Sequence, residues 1–187
     1  GLALEGERVF AAGYNGDIAA FDVKTGRRLW VTDTKLPITG GPGAGAGLVV
    51  AGARFGDLVA LDAATGASKW RTRINSEILS APSVTAQHVQ LRTVDGRVSS
   101  FSTADGTLEW SAEQQVPRLS LRGAGVPAVS TEAVIAGFDN GRIMALQQRN
   151  ADTVWEVTIA PPSGPTSSLP GISTMIANTN RTAMAPA

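Results

Sequence analysis

Cysteine is absent from the 187 residues. Disulfides, thiolate metal sites and a cysteine nucleophile are thereby excluded from this stretch. Positive charge is not in excess either, because 16 Lys and Arg stand against 16 Asp and Glu. Binding nucleic acid through phosphate neutralisation needs such an excess, so nucleic acid is set aside as a partner. No apolar run approaches the length that crosses a bilayer. The opening Gly1-Leu2-Ala3-Leu4-Glu5 lacks the basic start and apolar run of a signal peptide. The chain does not begin with Met, and residue 1 reads as an internal position of a longer protein, with any targeting signal upstream. A helical period is missing as well, and 21 Gly and 10 Pro punctuate the chain too densely for long helices.

What is present is a repeat. Hydrophobic residues make up 43% and charged residues 17%, enough to build a core. The four tryptophans, Trp30, Trp70, Trp110 and Trp155, are spaced by 40, 40 and 45 residues. Each follows a glycine by 14 positions: Gly16, Gly56, Gly96 and Gly141. The segments between them align as GDIAAFDVKTGRRLW, GDLVALDAATGASKW, GRVSSFSTADGTLEW and GRIMALQQRNADTVW. Each reads as a strand, a turn, and a second strand carrying the Trp. Gly26, Gly66 and Gly106 supply the turn's positive φ, and in the fourth copy Asn150 is the candidate for that conformation.

A further β-rich strand precedes each leading glycine: Arg8–Ala12, Leu48–Ala51, Val89–Arg92 and Ala133–Ala136. Asn15-Gly16, Asp95-Gly96 and Asn140-Gly141 are tight-hairpin signals. Ala81–Val84 and Val126–Val129 supply a fourth strand. Four antiparallel strands repeating at about forty residues describe a β-propeller blade. The expected fold is all-β: a partial propeller of about four four-stranded blades, half of an eight-bladed ring. The repeats span about 8–30, 41–70, 81–110 and 126–155 within a propeller region of residues 1–160. A parallel β-helix is the structural alternative, but its rungs are shorter and do not need Asn-Gly hairpins.

The pattern of Gly, a short strand with Ala-Leu-Asp, Thr-Gly, then Trp resembles the PQQ-like (WD-like) repeat, over roughly residues 8–160. In that superfamily the Trp docks between neighbouring blades. Residues 117–146, PRLSLRGAGVPAVSTEAVIAGFDNGRIMAL, narrow the resemblance to the BamB family, propeller lipoproteins of the bacterial outer-membrane β-barrel assembly (BAM) machinery. Arg118-Leu119-Ser120-Leu121-Arg122-Gly123, Pro127 and Asp139-Asn140-Gly141-Arg142 carry it, with Glu77–Pro82 in support. The resemblance implies an eight-bladed, non-enzymatic scaffold on the periplasmic face of the outer membrane, held by an upstream lipid anchor. It implies docking onto the periplasmic domains of BamA, contact with unfolded outer-membrane proteins, and no cofactor. It assigns partner binding to Leu119, Leu121 and Arg122. Two leucines and an arginine are hot-spot chemistry, apolar anchors beside a directional cation. The bland alternative is that the leucines open a strand and Arg122 caps a local carbonyl.

The resemblance also calls for an acidic pair in the next inter-blade connection. Here the chain reads PPSGPTSSLPGISTMIANTNRTAMAPA from Pro161, with Arg181 its only charge. Residues 161–187 are expected to be an irregular or disordered tail, and a reading-frame shift near Pro162 would account for the change of composition. A half ring leaves two blade edges open, so low solubility and low cooperativity are expected.

Other candidates yield structural readings. His88 has no second metal ligand nearby in sequence, so packing is preferred to metal binding. The Gly40–Gly47 stretch lacks the Lys-Ser/Thr ending of a phosphate loop and reads as a tight inter-blade crossing. Asp17, Asp22, Asp57 and Asp62 recur at blade positions, Asp22 and Asp62 before turns where a carboxylate accepts from nearby backbone N–H groups. A piece of a quinone-dependent dehydrogenase and a generic ligand-binding propeller are the competing functions.

Overall fold

Every repeat folds as a meander in which chain order and sheet order coincide. The computed structural model describes residues 1–113, 125–138 and 140–159. Blade 1 holds β1 (Leu2–Glu5), β2 (Arg8–Ala12), β3 (Asp17–Asp22) and β4 (Arg28–Asp33). Blade 2 holds β5 (Ile38–Gly45), β6 (Leu48–Ala53), β7 (Asp57–Asp62) and β8 (Ser68–Arg73). Blade 3 holds β9 (Ser83–Val84), β10 (His88–Arg92), β11 (Arg97–Ser102) and β12 (Leu108–Glu113). Blade 4 holds β13 (Ala128–Val129), β14 (Ala133–Gly137), β15 (Arg142–Gln147) and β16 (Thr153–Thr158). The all-β half propeller expected from the repeat is the observed fold.

The hairpins at the leading glycines follow one rule. The N–H of Gly16, Gly56, Gly96 and Gly141 bonds back to the carbonyl of Gly13, Ala53, Thr93 and Phe138, at 3.0–3.1 Å. Each of these glycines has positive φ, between 78° and 101°. The loop is therefore a turn closed by a left-handed glycine, one residue longer than a two-residue Asn-Gly hairpin.

At the second turn the fourth copy departs from expectation. The left-handed residue is Ala151 (φ 63°), not Asn150. Ala151 occupies the position of Gly26, Gly66 and Gly106, and its N–H reaches the Gln147 carbonyl as theirs reach residues 22, 62 and 102. Asn150 instead supports the turn from its side chain, accepting from the Asp152 N–H and donating to the Asp152 carboxylate.

The core lies between blades. Neighbouring residues on a strand point to opposite faces, so Val49 packs with Phe10 and Ile18 of blade 1 while Val50 packs with Val89 and Leu91 of blade 3. All of β6 is buried. A third cluster joins Val98 and Trp110 to Val134, Phe138 and Met144. In each blade a register irregularity follows the residue paired with the Trp: Ala20, Ala60, Ser100 or Ala145. A small residue opposite the indole and a local bulge in the ladder sit at the point where that ring leaves its own sheet.

The glycine stretch from Gly40 is not a crossing, because Gly40–Gly45 belongs to β5, the first strand of blade 2. The close approach expected of it is real. A Cβ on Gly43 would stand 1.8 Å from the Pro82 carbonyl oxygen, and one on Gly45 would stand 2.4 Å from that of Val84. Only glycine lets β5 lie this near the first strand of blade 3.

Candidate interaction surface

The inter-blade docking foreseen for the tryptophans is visible at three boundaries. Trp30 Nε1 donates to the Ala63 carbonyl at 3.2 Å, Trp70 to Thr103 at 2.8 Å, and Trp110 to Gln148 at 2.7 Å. Gly66 and Gly106 lie under the indoles of Trp30 and Trp70, where a Cβ would come within 2.6 and 2.5 Å of Cε3. Trp155 occupies the same strand position, has no further blade beside it among the described residues, and is 44% exposed.

The residues assigned to partner binding, Leu119, Leu121 and Arg122, lie outside the described residues, as does the tail 161–187 with its reading-frame question. The structure does define the rim from which their connection departs. Where a blade's last strand ends, its chain bonds to the leading hairpin: Thr34 N–H to Gly16, Ile74 to Gly56 and Ile159 to Gly141, at 2.9–3.0 Å. The connections from blade 1 to blade 2 and from blade 2 to blade 3 thus leave beside the Gly16 and Gly56 hairpins. Glu113, the last residue of β12, is anchored at this point, because Arg97 Nη2 donates to its carboxylate at 2.7 Å while Arg97 Nε reaches Asp95 at 3.3 Å. Burial works to raise the Asp95 pKa, but hydrogen bonds from the Thr93 and Ser76 hydroxyls and the Arg97 backbone outweigh it and hold the carboxyl below its ordinary value.

The same rim carries an aromatic–cation group that the sequence pattern did not announce. Tyr14 and Phe55, at the tips of two successive hairpins, are 60% and 61% exposed. Arg54 lies with both, its Nη1 donating to the Tyr14 hydroxyl at 3.3 Å and its guanidinium carbon 5.9 Å from the Phe55 ring centre. A groove of about 350 Å³ runs from Arg54 and Phe55 along Arg73, Ile74 and Asn75 to Glu77. A second, of about 320 Å³, continues from Arg73 and Ser76 past Thr93, Asp95 and Arg97. Exposed aromatics beside arginine, over grooves of this kind, suit a protein partner better than a buried small molecule.

The remaining candidates act locally. Asp22 Oδ1 accepts from the Lys24 and Thr25 N–H groups and the Thr25 hydroxyl, and Asp62 Oδ1 accepts from Ala64 and Thr65 in the same way. Lys69, 3.1 Å from Asp62, and then Thr65 hold the Asp62 carboxyl down to about 2. Asp57 pairs with Arg71 at 2.9 Å, and the Asp17 carboxylate accepts from Asn15 at 2.6 Å. His88 Nδ1 lies 2.7 Å from Glu109, which also accepts from the Ser100 hydroxyl. Its partner is thus a carboxylate 21 positions away on another strand.

Between blades 3 and 4 the packing turns polar. Gln90 and Arg92 are 0% and 1% exposed where Val50 and Gly52 stand in blade 2. Arg92 Nη1 donates to the Gly137 carbonyl at 2.8 Å, and its guanidinium lies 5.1 Å from the Phe138 ring centre. Among the described residues the Gln90 amide has no hydrogen-bond partner.

Comparison with known proteins gives a consistent picture. The profile of a family described as outer membrane protein assembly factor BamB matches residues 4–180. A relative of that name from Alkalilimnicola ehrlichii is 48% identical over 162 residues, covering 87% of this chain and 42% of the relative. One from Kangiella koreensis is 45% identical over 162 residues with the same two coverages. The crystal structure of BamB from Moraxella catarrhalis superposes with a TM-score of 0.82 at 29% identity, covering 88% of this chain and 50% of that one. The chain spans less than half the length of these curated relatives.

Proposed function

The chain belongs to the outer membrane protein assembly factor BamB family, and from that premise we propose that it forms four blades of a non-enzymatic scaffold in the BAM complex, working at the periplasmic face of the outer membrane. The observation that carries this reading is the family match across nearly the whole chain, residues 4–180. The partner is the periplasmic part of BamA, and unfolded outer-membrane proteins are its wider clientele. Leu119, Leu121 and Arg122, in the connection between blades 3 and 4, supply two apolar anchors and one directional cation. Tyr14, Arg54 and Phe55 offer a second exposed group, two aromatics beside an arginine. A rigid propeller loses little conformational entropy when it presents such a surface, which favours its use as a platform.

The test is capture of the BamA periplasmic domains by the parent protein. Wild type is compared with the triple variant Leu119→Ala/Leu121→Ala/Arg122→Ala and with Tyr14→Ala/Phe55→Ala, after circular dichroism shows equal folding. The triple variant is expected to weaken capture by about thirtyfold or more, the loss of at least one hot spot. A wild-type protein that captures nothing rejects the BamA reading. A triple variant that binds like wild type moves the site elsewhere on the rim.

A further inference from the structure

A groove between blades 2 and 3 opens because blade 3 departs from its own repeat at two places. The third and fourth strands of every blade share an equivalent cross-strand pair, on the side away from the Trp. The pair is Ala19–Val31, Val59–Arg71, Ser99–Ser111 and Met144–Glu156 in chain order. In blade 2 Arg71 reaches along the strand pair to Asp57 at 2.9 Å, and in blade 4 Glu156 pairs with Arg142. In blade 3 the two serine hydroxyls bond only to each other, at 2.9 Å. The second departure is Leu108. Arg28, Ser68 and Thr153 hold its place in the other blades, and Leu108 alone is apolar.

These two departures meet in the groove of about 320 Å³, which Ser99, Ser111 and Leu108 line from blade 3 and Arg73 and Ile74 from blade 2. Ser99 is 3% exposed at its floor, whereas Leu108 is 50% exposed although blade 2 stands across from it. Charge along the groove is matched except at one point. Arg97 is held by Asp95 and Glu113, and Arg54 donates to Tyr14. Asp57 stands opposite Arg73 in the ladder, but its carboxylate is taken by Nε and Nη2 of Arg71. Arg73 therefore has no counter-ion among the described residues, and it lines both this groove and the adjoining one beside Phe55.

We propose that this groove binds an extended acidic peptide segment, a carboxylate pairing with Arg73 and an apolar side chain lying between Ile74 and Leu108 over the Ser99–Ser111 pair. Charge complementarity selects an acidic occupant, because Arg73 is the cation left over. A guanidinium and a carboxylate form the stronger, charge-assisted kind of hydrogen bond. The serines and Leu108 select a peptide. Its backbone needs both donors and acceptors, which Ser111 and Asn75 supply beside the groove, whereas a free anion would use Arg73 alone and leave Leu108 uncovered. The site rests on the scaffold reading only in that its occupant is a protein segment. It shares no residue with Leu119, Leu121 and Arg122.

Fluorescence anisotropy of the full-length parent protein with labelled peptides tests this. BamA is left out, so the outcome is read separately from the capture experiment. The probes are Ser/Thr-rich peptides carrying one Leu and one Asp, placed one, two or three positions apart. At least one is expected to bind the wild type in the micromolar range. Arg73→Met and Ser111→Gln are each expected to weaken that binding about tenfold or more. Ser111→Gln fills the groove with a neutral side chain long enough to keep a bond to Ser99. Arg73 and Ser111 are both exposed, so neither change disturbs the core, checked by circular dichroism. A peptide with its Asp replaced by Asn should bind the wild type as weakly as the parent peptide binds Arg73→Met, with no further loss when the two changes are combined. A wild type that binds none of the probes overturns the proposal. Binding indifferent to Arg73→Met overturns the carboxylate seat, and binding indifferent to Ser111→Gln overturns the groove as its place. Equal binding of a peptide with its Leu replaced by Ser overturns the apolar seat and leaves charge attraction alone.

Discussion

Trp70 Nε1 donates to the Thr103 carbonyl at 2.8 Å, 33 positions along the chain and one blade further round. The indole is 8% exposed and spans the boundary that also buries Val50, Leu58, Val89 and Phe101. Replacing it removes packing and leaves a carbonyl short of its donor. Trp70→Phe is expected to cost about 1–3 kcal/mol and Trp70→Ala about 3–5 kcal/mol, measured by urea unfolding. A loss under about 1 kcal/mol for the alanine variant would show that the blades hold together without the indole.

Two glycines separate backbone strain from inter-blade crowding. Gly47 and Gly66 share φ +75°, but among the described residues a Cβ on Gly47 would meet nothing within 4 Å, whereas on Gly66 it would stand 2.6 Å from Trp30 Cε3 and 2.7 Å from Thr32 Oγ1. Gly47→Ala is expected to cost about 1 kcal/mol, from left-handed strain alone. Gly66→Ala is expected to cost roughly 1–3 kcal/mol more, from overpacking. Equal unfolding midpoints would mean that Trp30 shifts freely and that the glycine does not define its seat.

The parts legible in the sequence were those with a period. Four tryptophans, each 14 positions after a glycine, carry blade number and strand order together, and β2 (Arg8–Ala12) ends where the pattern ends. Strand β5 was hidden because its glycines suppress the alternation that marks a strand, and the reason for them is Pro82 and Val84 on another blade. The left-handed residue of the fourth turn went to Ala151 because position in the repeat outweighed the conformational preference of Asn150. The burial of Arg92 depends on Gly137 and Phe138, 45 or more positions away, and nothing local to β10 announces it. Tyr14, Arg54 and Phe55 went unread for a related reason: their signal is exposure at two hairpin tips that only the stacked blades bring side by side. Leu119, Leu121 and Arg122 rest on family resemblance alone and lie outside the described residues.

Gln90 is fully buried, and its amide makes no hydrogen bond among the described residues. A buried amide without a partner costs about 1–3 kcal/mol. The equivalent place in blade 2 holds Val50, packed among Leu58, Val89 and Leu91. Gln90→Leu is therefore expected to stabilise the chain by about 1–2 kcal/mol, read as a higher urea midpoint. A lower midpoint would reveal a ligand or water that satisfies the amide, and with it a functional reason for polarity between blades 3 and 4.

The Asp62 turn makes a testable contribution to acid sensitivity. Its carboxylate is held from 3.8 down to about 2, first by Lys69 and then by the Thr65 hydroxyl and N–H. The group is therefore ionised in the folded chain at pH values where the unfolded chain has already taken up a proton. A depressed pKa of this kind stabilises the fold above about pH 4, and the contribution is lost as pH falls toward about 2. Asp22, depressed chiefly by the Thr25 hydroxyl, acts in the same direction. The third and fourth turns carry Ser102 and Gln147 at this place, but in the third the neighbouring Asp105 carboxyl is held below its ordinary value, chiefly by the Thr107 N–H, and acts in the same direction. Melting temperatures of wild type and Asp62→Asn, followed from neutral pH into acid, should converge between about pH 4 and about pH 2, the variant being less stable above that window and losing less within it. Parallel curves would mean that the carboxylate gains nothing from Lys69 and Thr65 on folding, and that the acid response of the blades has another source.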